Sequence, residues 1–279
     1  MLAYALVIGS ALLHASWNAL VKRTRDPAAS VHTVVATAGA LTAIAAAGEY
    51  AVTGRGGSGT ALGLAAIAGV LEAGYFHALG RALTLGPLGP VYTISRGGAA
   101  LLVWPASMLA FGERLTPLGA GGSALIVLGL AASTSVATVP GRAVRYAVTC
   151  AGFIAGYNIT YKFALESGTS PILVFAVSMA VATALGATLG GRAYRTAFAT
   201  NLRDAPWATL GAGAICAAGF VLLMYGLARG GAAYVFTLRN TSVLFATALA
   251  FLLGERPSHR ALVGVGLVFA GAVALGASR

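Results

Sequence analysis

Apolar residues in this chain come in runs about as long as a bilayer is thick. "TALGLAAIAGVLEAGYFHALGRAL" (60–83) is one of them. Others cover 2–21, 30–52, 88–111, 117–137, 143–166, 171–190, 206–228, 232–253 and 259–277. About 20 apolar residues in a helix cross the hydrocarbon core. Inside lipid every backbone amide must be satisfied within its own segment, which leaves the helix as the form such a run can take. A transmembrane barrel would show alternating segments of about ten residues, and the sequence has none. Only 9% of residues are charged, against about 25% in a soluble domain. The expected fold is an all-α polytopic membrane protein with ten transmembrane helices. The run from Leu2 is too long for a signal-peptide core and has no basic flank before it, so it reads as a retained first helix. The longest connection, "GRAYRTAFATNLRDA" (191–205), is either an interfacial helix or a loop.

The net charge of +11 does not point to nucleic acid. Its Lys and Arg are scattered singly through the loops, as topology signals are. Cys150 and Cys216 lie inside apolar runs and read as small core residues. No glycine-rich phosphate loop, metal-ligand cluster or nucleophile–base set is present, so neither an enzyme nor a cofactor is expected. The expected partners are the bilayer and a small molecule. A monomer is the simplest assembly.

The chain repeats itself. Trp17-Asn18-x-x-x-Lys22 is answered by Tyr157-Asn158-x-x-x-Lys162, 140 residues on. "VYTISR" (91–96) is answered by "YVFTLR" (234–239), at an offset of 143. "FGERLTPLGAGGSALIVLGL" (111–130) is answered by "LGERPSHRALVGVGLVFAGAV" (253–273), at 142. Two five-helix units follow, 1–137 and 140–279. Five is odd, so the second unit must start from the opposite face of the membrane. Two inverted repeats then enclose a central cavity, as in many secondary transporters. Lys22 and Lys162, the only lysines, are either one feature used twice or helix-end side chains snorkelling to the interface.

The same pieces carry a resemblance. "WNALVK", "ALTLGPLGPVYTISR", "FGERLTPLGAGGSALIVLG" and "LGERPSHRALVGVGLVFAG", in this order and spacing, resemble the EamA-type ten-helix exporters of the drug/metabolite transporter superfamily. The resemblance implies a cavity walled by the first, third, fourth, sixth, eighth and ninth spans. It implies export of amino acids, aromatic ones included, or related metabolites across the cell membrane. One departure is Gly-Gly-Ala-Ala (230–233) where the first half has Gly-Pro-Leu-Gly-Pro (86–90).

Charges at mid-bilayer cost at least ~2.5 kcal/mol each and need a partner or a purpose. Glu72 is the one acid so deep. It binds a substrate amino group or a coupling proton, or it pairs structurally with a neighbouring helix. Arg96 and Arg239 are repeat-equivalent; each holds a substrate carboxylate or caps helix carbonyls. His77 and His14 are each a relay or, more simply, a hydrogen-bonded packing residue. Aromatics crowd the same spans: Tyr75, Phe76, Tyr92, Trp104, Tyr157, Tyr161, Tyr225 and Tyr234. Several belong to the core or the interface belt. Trp17, Asn18, Tyr75, Tyr92, Tyr157, Asn158, Tyr225 and Tyr234 are taken as cavity candidates beside Glu72, His77, Arg96 and Arg239.

The function these readings suggest is secondary transport. The alternatives are a same-fold transporter of drugs, purine-like compounds or nucleotide sugars, an intramembrane enzyme, and a channel. Topology signals conflict. Eleven of the 18 Lys and Arg fall in the odd-numbered loops, which puts those loops in the cytoplasm and both termini outside. The resemblance puts the termini inside.

Overall fold

The computed structural model describes residues 2–22, 24, 27–86, 88–133, 139–252 and 258–278. The described chain is helical: α1 (Leu2–Lys22), α2 (Pro27–Thr53), α3 (Gly59–Leu85), α4 (Leu88–Phe111), α5 (Pro117–Ala132), α6 (Gly141–Glu166), α7 (Pro171–Leu189), α8 (Gly191–Asp204), α9 (Pro206–Arg229), α10 (Ala232–Arg239), α11 (Ser242–Leu252) and α12 (His259–Ala277). Local chemistry sets the starts. The side chains of Ser58, Thr116 and Ser258 accept the backbone N–H groups of Ala61, Gly119 and Ala261 as N-caps, and proline opens α5, α7 and α9, where no amide partner is needed.

Seven of these helices are long and apolar enough to cross a membrane: α1, α2, α3, α4, α7, α9 and α12. The other three expected spans depart from that standard for separate reasons. α5 is apolar but has only 16 residues, and the remainder of its expected run, 134–138, lies outside the described residues. α6 has 26 residues, but Arg142, Arg145, Asn158, Lys162 and Glu166 dilute its apolar character. The expected single span 232–253 is two helices, α10 and α11, joined by a turn at Asn240–Thr241. There the amides of Asn240 and Thr241 bond to Thr237 and Leu238 (3.1 and 3.0 Å), three residues back rather than four. Asn and Thr are residues whose side chains compete with helical bonding. The 191–205 connection is the helix α8, lying between α7 and α9.

The helices pack in a recurring scheme. α3 lies along α6, α1 along α9, and α5 along α12. α4 packs on α6, α1 on α10 and α11, α2 on both α7 and α9, and α3 on α7. Small residues set the closest approaches. A Cβ added to Gly122 would lie 2.7 Å from the Gly271 carbonyl oxygen, and one on Gly129 2.6 Å from that of Gly264. These four glycines draw α5 and α12 together into a seam with no room for a methyl group.

One end of the bundle is stitched by polar contacts. Tyr4 donates to the Leu275 carbonyl (3.3 Å), and Ser170 donates to the Glu49 carboxylate, tying α7 to α2. At the α4–α5 connection, which turns at Gly112 (φ 63°), Glu113 accepts from Ser107 and from the backbone amide of Ala232. Lys162 donates to the carbonyls of Leu227 and Gly230 (3.2 and 3.1 Å). An anion thus sits at the N-terminus of α10 and a cation at the C-terminus of α9, each matching the helix dipole.

Candidate functional site

The deep polar side chains meet inside the bundle. Glu72 on α3 is fully buried. Its Oε2 accepts from the Tyr161 hydroxyl of α6 (2.6 Å) and the Ser178 hydroxyl of α7 (2.8 Å). Its Oε1 has no partner among the described residues. A buried carboxylate oxygen without a donor is costly.

Arg96 on α4 and Arg239 on α10 come from different halves and converge on His14 of α1. Arg96 Nη2 contacts His14 Nε2, and Arg239 Nη2 lies 3.4 Å from His14 Nδ1. The indole N–H of Trp17 donates to the same Nδ1 (3.2 Å). Neutral imidazole has one acceptor nitrogen and one donor; here N–H groups face both ring nitrogens. The Arg239 guanidinium also lies over the Phe220 ring, 4.3 Å from its centroid, and Phe220 stacks on Phe175 at 4.9 Å. Arg239 is close enough to act electrostatically on Glu72 and Tyr157. Tyr75, Tyr157 and Tyr161 form a run of rings with centroids 6.0 and 5.7 Å apart, and Tyr161 ties the run to Glu72.

The arrangement has two poles. One is a pair of guanidinium groups on either side of an imidazole. The other offers a carboxylate oxygen, with aromatic rings beside it. Among the described residues the cluster holds two cations and one acid, and low-dielectric surroundings make such an imbalance expensive.

The remaining expected site residues fall as follows. Trp17 is buried and bonded to His14. Asn18 and Asn158, the repeat pair, each donate to a carbonyl one turn back on their own helix, His14 (2.6 Å) and Ile154 (2.8 Å); the Asn158 Oδ1 is left buried without a partner among the described residues. His77 does not join the cluster: it is exposed, because five residues on from Glu72 turn it roughly 140° around α3. Tyr225 is half-buried near the end of α9, beneath the guanidinium of Arg229 (5.3 Å). Tyr234 packs on Trp104 (4.8 Å) and donates to the Arg114 carbonyl (3.3 Å), which makes it part of the stitched end. The side chains of Tyr92 and Lys22 lie outside the described residues. His14, read from sequence as a relay or a hydrogen-bonded packing residue, is the hub of the cationic pole. Tyr161, Ser178, Phe175 and Phe220 also belong here. Tyr161 stands four residues after Tyr157, on the same helix face, and that spacing was the available signal.

Comparison with known proteins places this geometry. No match was found among curated proteins. A solved crystal structure, described only as that of a protein, superposes with a TM-score of 0.75 at 18% sequence identity; the match covers 98% of this chain and 96% of that one. At that identity the likeness shows the fold. Residues 142–277 match the EamA-like transporter family. The chain is a multi-pass membrane protein, and its second half is similar to an EamA-like transporter domain.

Proposed function

We propose that this protein is a secondary transporter that exports amino acids, or closely related metabolites bearing both an amine and a carboxylate, across the cell membrane by alternating access. The observation that carries the reading is the two-pole cluster. Arg96 and Arg239 present guanidinium forks that suit a carboxylate. Glu72 Oε1 presents an acceptor that suits an ammonium, and the nearby tyrosines suit an apolar or aromatic body.

The proposed architecture has ten crossings in two inverted halves, 1–137 and 140–279. The packing scheme supports it. Exchanging the halves sends α1 to α6, α2 to α7, α3 to α9, α4 to α10–α11 and α5 to α12. The contact of α3 with α6 then becomes that of α9 with α1, and α4 with α6 becomes α10–α11 with α1. The contact of α3 with α7 becomes α9 with α2, while α2–α7 and α5–α12 map onto themselves. A cluster drawn from both halves is where such proteins hold their substrate. The excess of fixed cations over acids favours one other reading, an organic anion without an amine.

The test is counterflow in proteoliposomes with a panel of labelled amino acids and matched amine-free carboxylates. Uptake of an amino acid that Arg96→Lys and Arg239→Lys weaken roughly tenfold or more in affinity, at unchanged protein yield, supports the proposal. Lysine keeps the charge but loses the fork. Uptake of the amine-free acids alone would select the second reading. Wild-type affinity in both variants would return the arginines to the scaffold.

A further inference from the structure

We infer that the outer face of α8 is a docking surface for anionic phospholipid headgroups. The helix has no counterpart in the first half, where α2 and α3 are joined by residues 54–58 alone. It is amphipathic in a specific way. At 100° per residue, Tyr194, Ala197, Phe198 and Asn201 share one side and are half-buried. That side rests on α2: the Tyr194 ring packs on His32 with centroids 5.2 Å apart, and Asn201 donates to the Thr33 hydroxyl (3.0 Å). Arg192, Arg195 and Arg203 fall within roughly 80° of one another on the opposite side, and all three are exposed. The helix's one acid, Asp204, lies off that stripe.

The surroundings place the stripe at the membrane boundary. α8 leaves the end of α7 at Leu189, which is 84% exposed, and leads into α9 beside Trp207, also 84% exposed. Bare leucine and tryptophan at the two ends of a short helix mark the depth where acyl chains give way to headgroups. A guanidinium at that depth faces lipid phosphate and can hold it through two parallel hydrogen bonds. Three on one face, with the opposite face fixed to the protein, make the occupant an anionic lipid surface. The glycine-flanked connection (Gly190, Gly191) and the bend at Ala205 let α8 lie along that surface.

The protein carries its own reporter. Of its three tryptophans, Trp17 and Trp104 are 4% and 8% exposed, whereas Trp207 faces outward next to α8. Quenching by brominated phosphatidylglycerol, compared with brominated phosphatidylcholine in mixed bilayers, measures which lipid gathers beside it. Wild type should prefer the anionic lipid severalfold at low salt, and less at high salt. Each Arg→Gln change should lower the preference by up to about fivefold, and the triple Arg192→Gln, Arg195→Gln, Arg203→Gln variant should show none. The triple Arg→Lys variant should keep it, and Arg55→Gln, at the far end of the bundle, should leave it unchanged. Inorganic phosphate should compete no better than chloride at equal ionic strength; stronger competition would mean a free-anion site and overturn the lipid assignment. No preference in wild type, or an unchanged one in the glutamine triple, would overturn the proposal outright. The readout is independent of transport, so its failure leaves the proposed function where it stands.

Discussion

At the scale of single residues, the polar cluster is defined by what it lacks. Glu72 has one oxygen accepting hydrogen bonds from Tyr161 and Ser178 and the other without a partner among the described residues. A purely structural acid would have both oxygens satisfied, since an orphan buried acceptor costs ~1–3 kcal/mol. Glu72→Gln keeps the shape and the acceptor but removes the charge and the titration. The expected outcome is folded protein whose amino-acid uptake falls at least about tenfold, the equivalent of one lost charge-assisted contact, and no longer varies with pH. Uptake assays across pH 5.5–8.5, beside thermal melts, check it. His14 shows where reading from sequence stopped. Its depth was legible, but its role depends on two arginines 82 and 225 positions away. Arg96 and Arg239 were legible because the repeat wrote them twice; His14 has no twin, since Ile154 occupies its place.

At the scale of elements, apolar length placed the helices, and the departures from it are where polar residues intervene. The turn between α10 and α11 was invisible because the run is apolar on both sides of Asn240 and Thr241. That turn leaves the Asn240 amide and the hydroxyls of Thr237 and Thr241 buried without partners among the described residues. Replacing an unsatisfied polar group by an apolar one of similar shape is neutral or stabilising, so Asn240→Leu should melt no lower than wild type, yet transport more slowly. A lower melting temperature would show that the amide supports the fold. The α5–α12 seam makes the opposite prediction. Gly129→Ala drives a methyl to 2.6 Å from the Gly264 carbonyl oxygen, and overpacking of this kind costs about 1–3 kcal/mol. Gly121→Ala, with nothing within 4 Å of the added carbon, should cost nothing. Melts of the two variants in detergent separate the seam from the general tolerance of small residues in membrane helices.

At the scale of the whole molecule, polar contacts join the proposed halves at one end, and the proposed alternating access requires them to break. Glu113 makes one of these contacts. It belongs to the first proposed half, accepts the Ala232 amide of the second, and has an Oε2 that is buried without a partner among the described residues. The carboxylate is held by one charge-assisted bond at a helix N-terminus, and by Ser107 of its own half. Such bonds contribute ~1.5–3 kcal/mol, the size of step that sets a minor open population without locking the protein shut. Glu113→Gln keeps the acceptor but removes the charge facing the α10 dipole. It should therefore raise the open population at this end by about tenfold, since 1.4 kcal/mol is one decade. The protein supplies the probe. Cys216 on α9, beside Arg239, is 2% exposed, and Cys150 on α6 is fully buried. In the closed state neither thiol can meet a water-borne maleimide. Opening at the stitched end exposes the interior between α1, α9 and α10, so Cys216 should react about tenfold faster in Glu113→Gln, measured in a Cys150→Ala background. Saturating substrate should change that rate, because a ligand that prefers one of two conformations shifts their populations. Equal labelling rates in the two proteins, with and without substrate, would mean that the Glu113 contact is a static tie and that the bundle opens elsewhere.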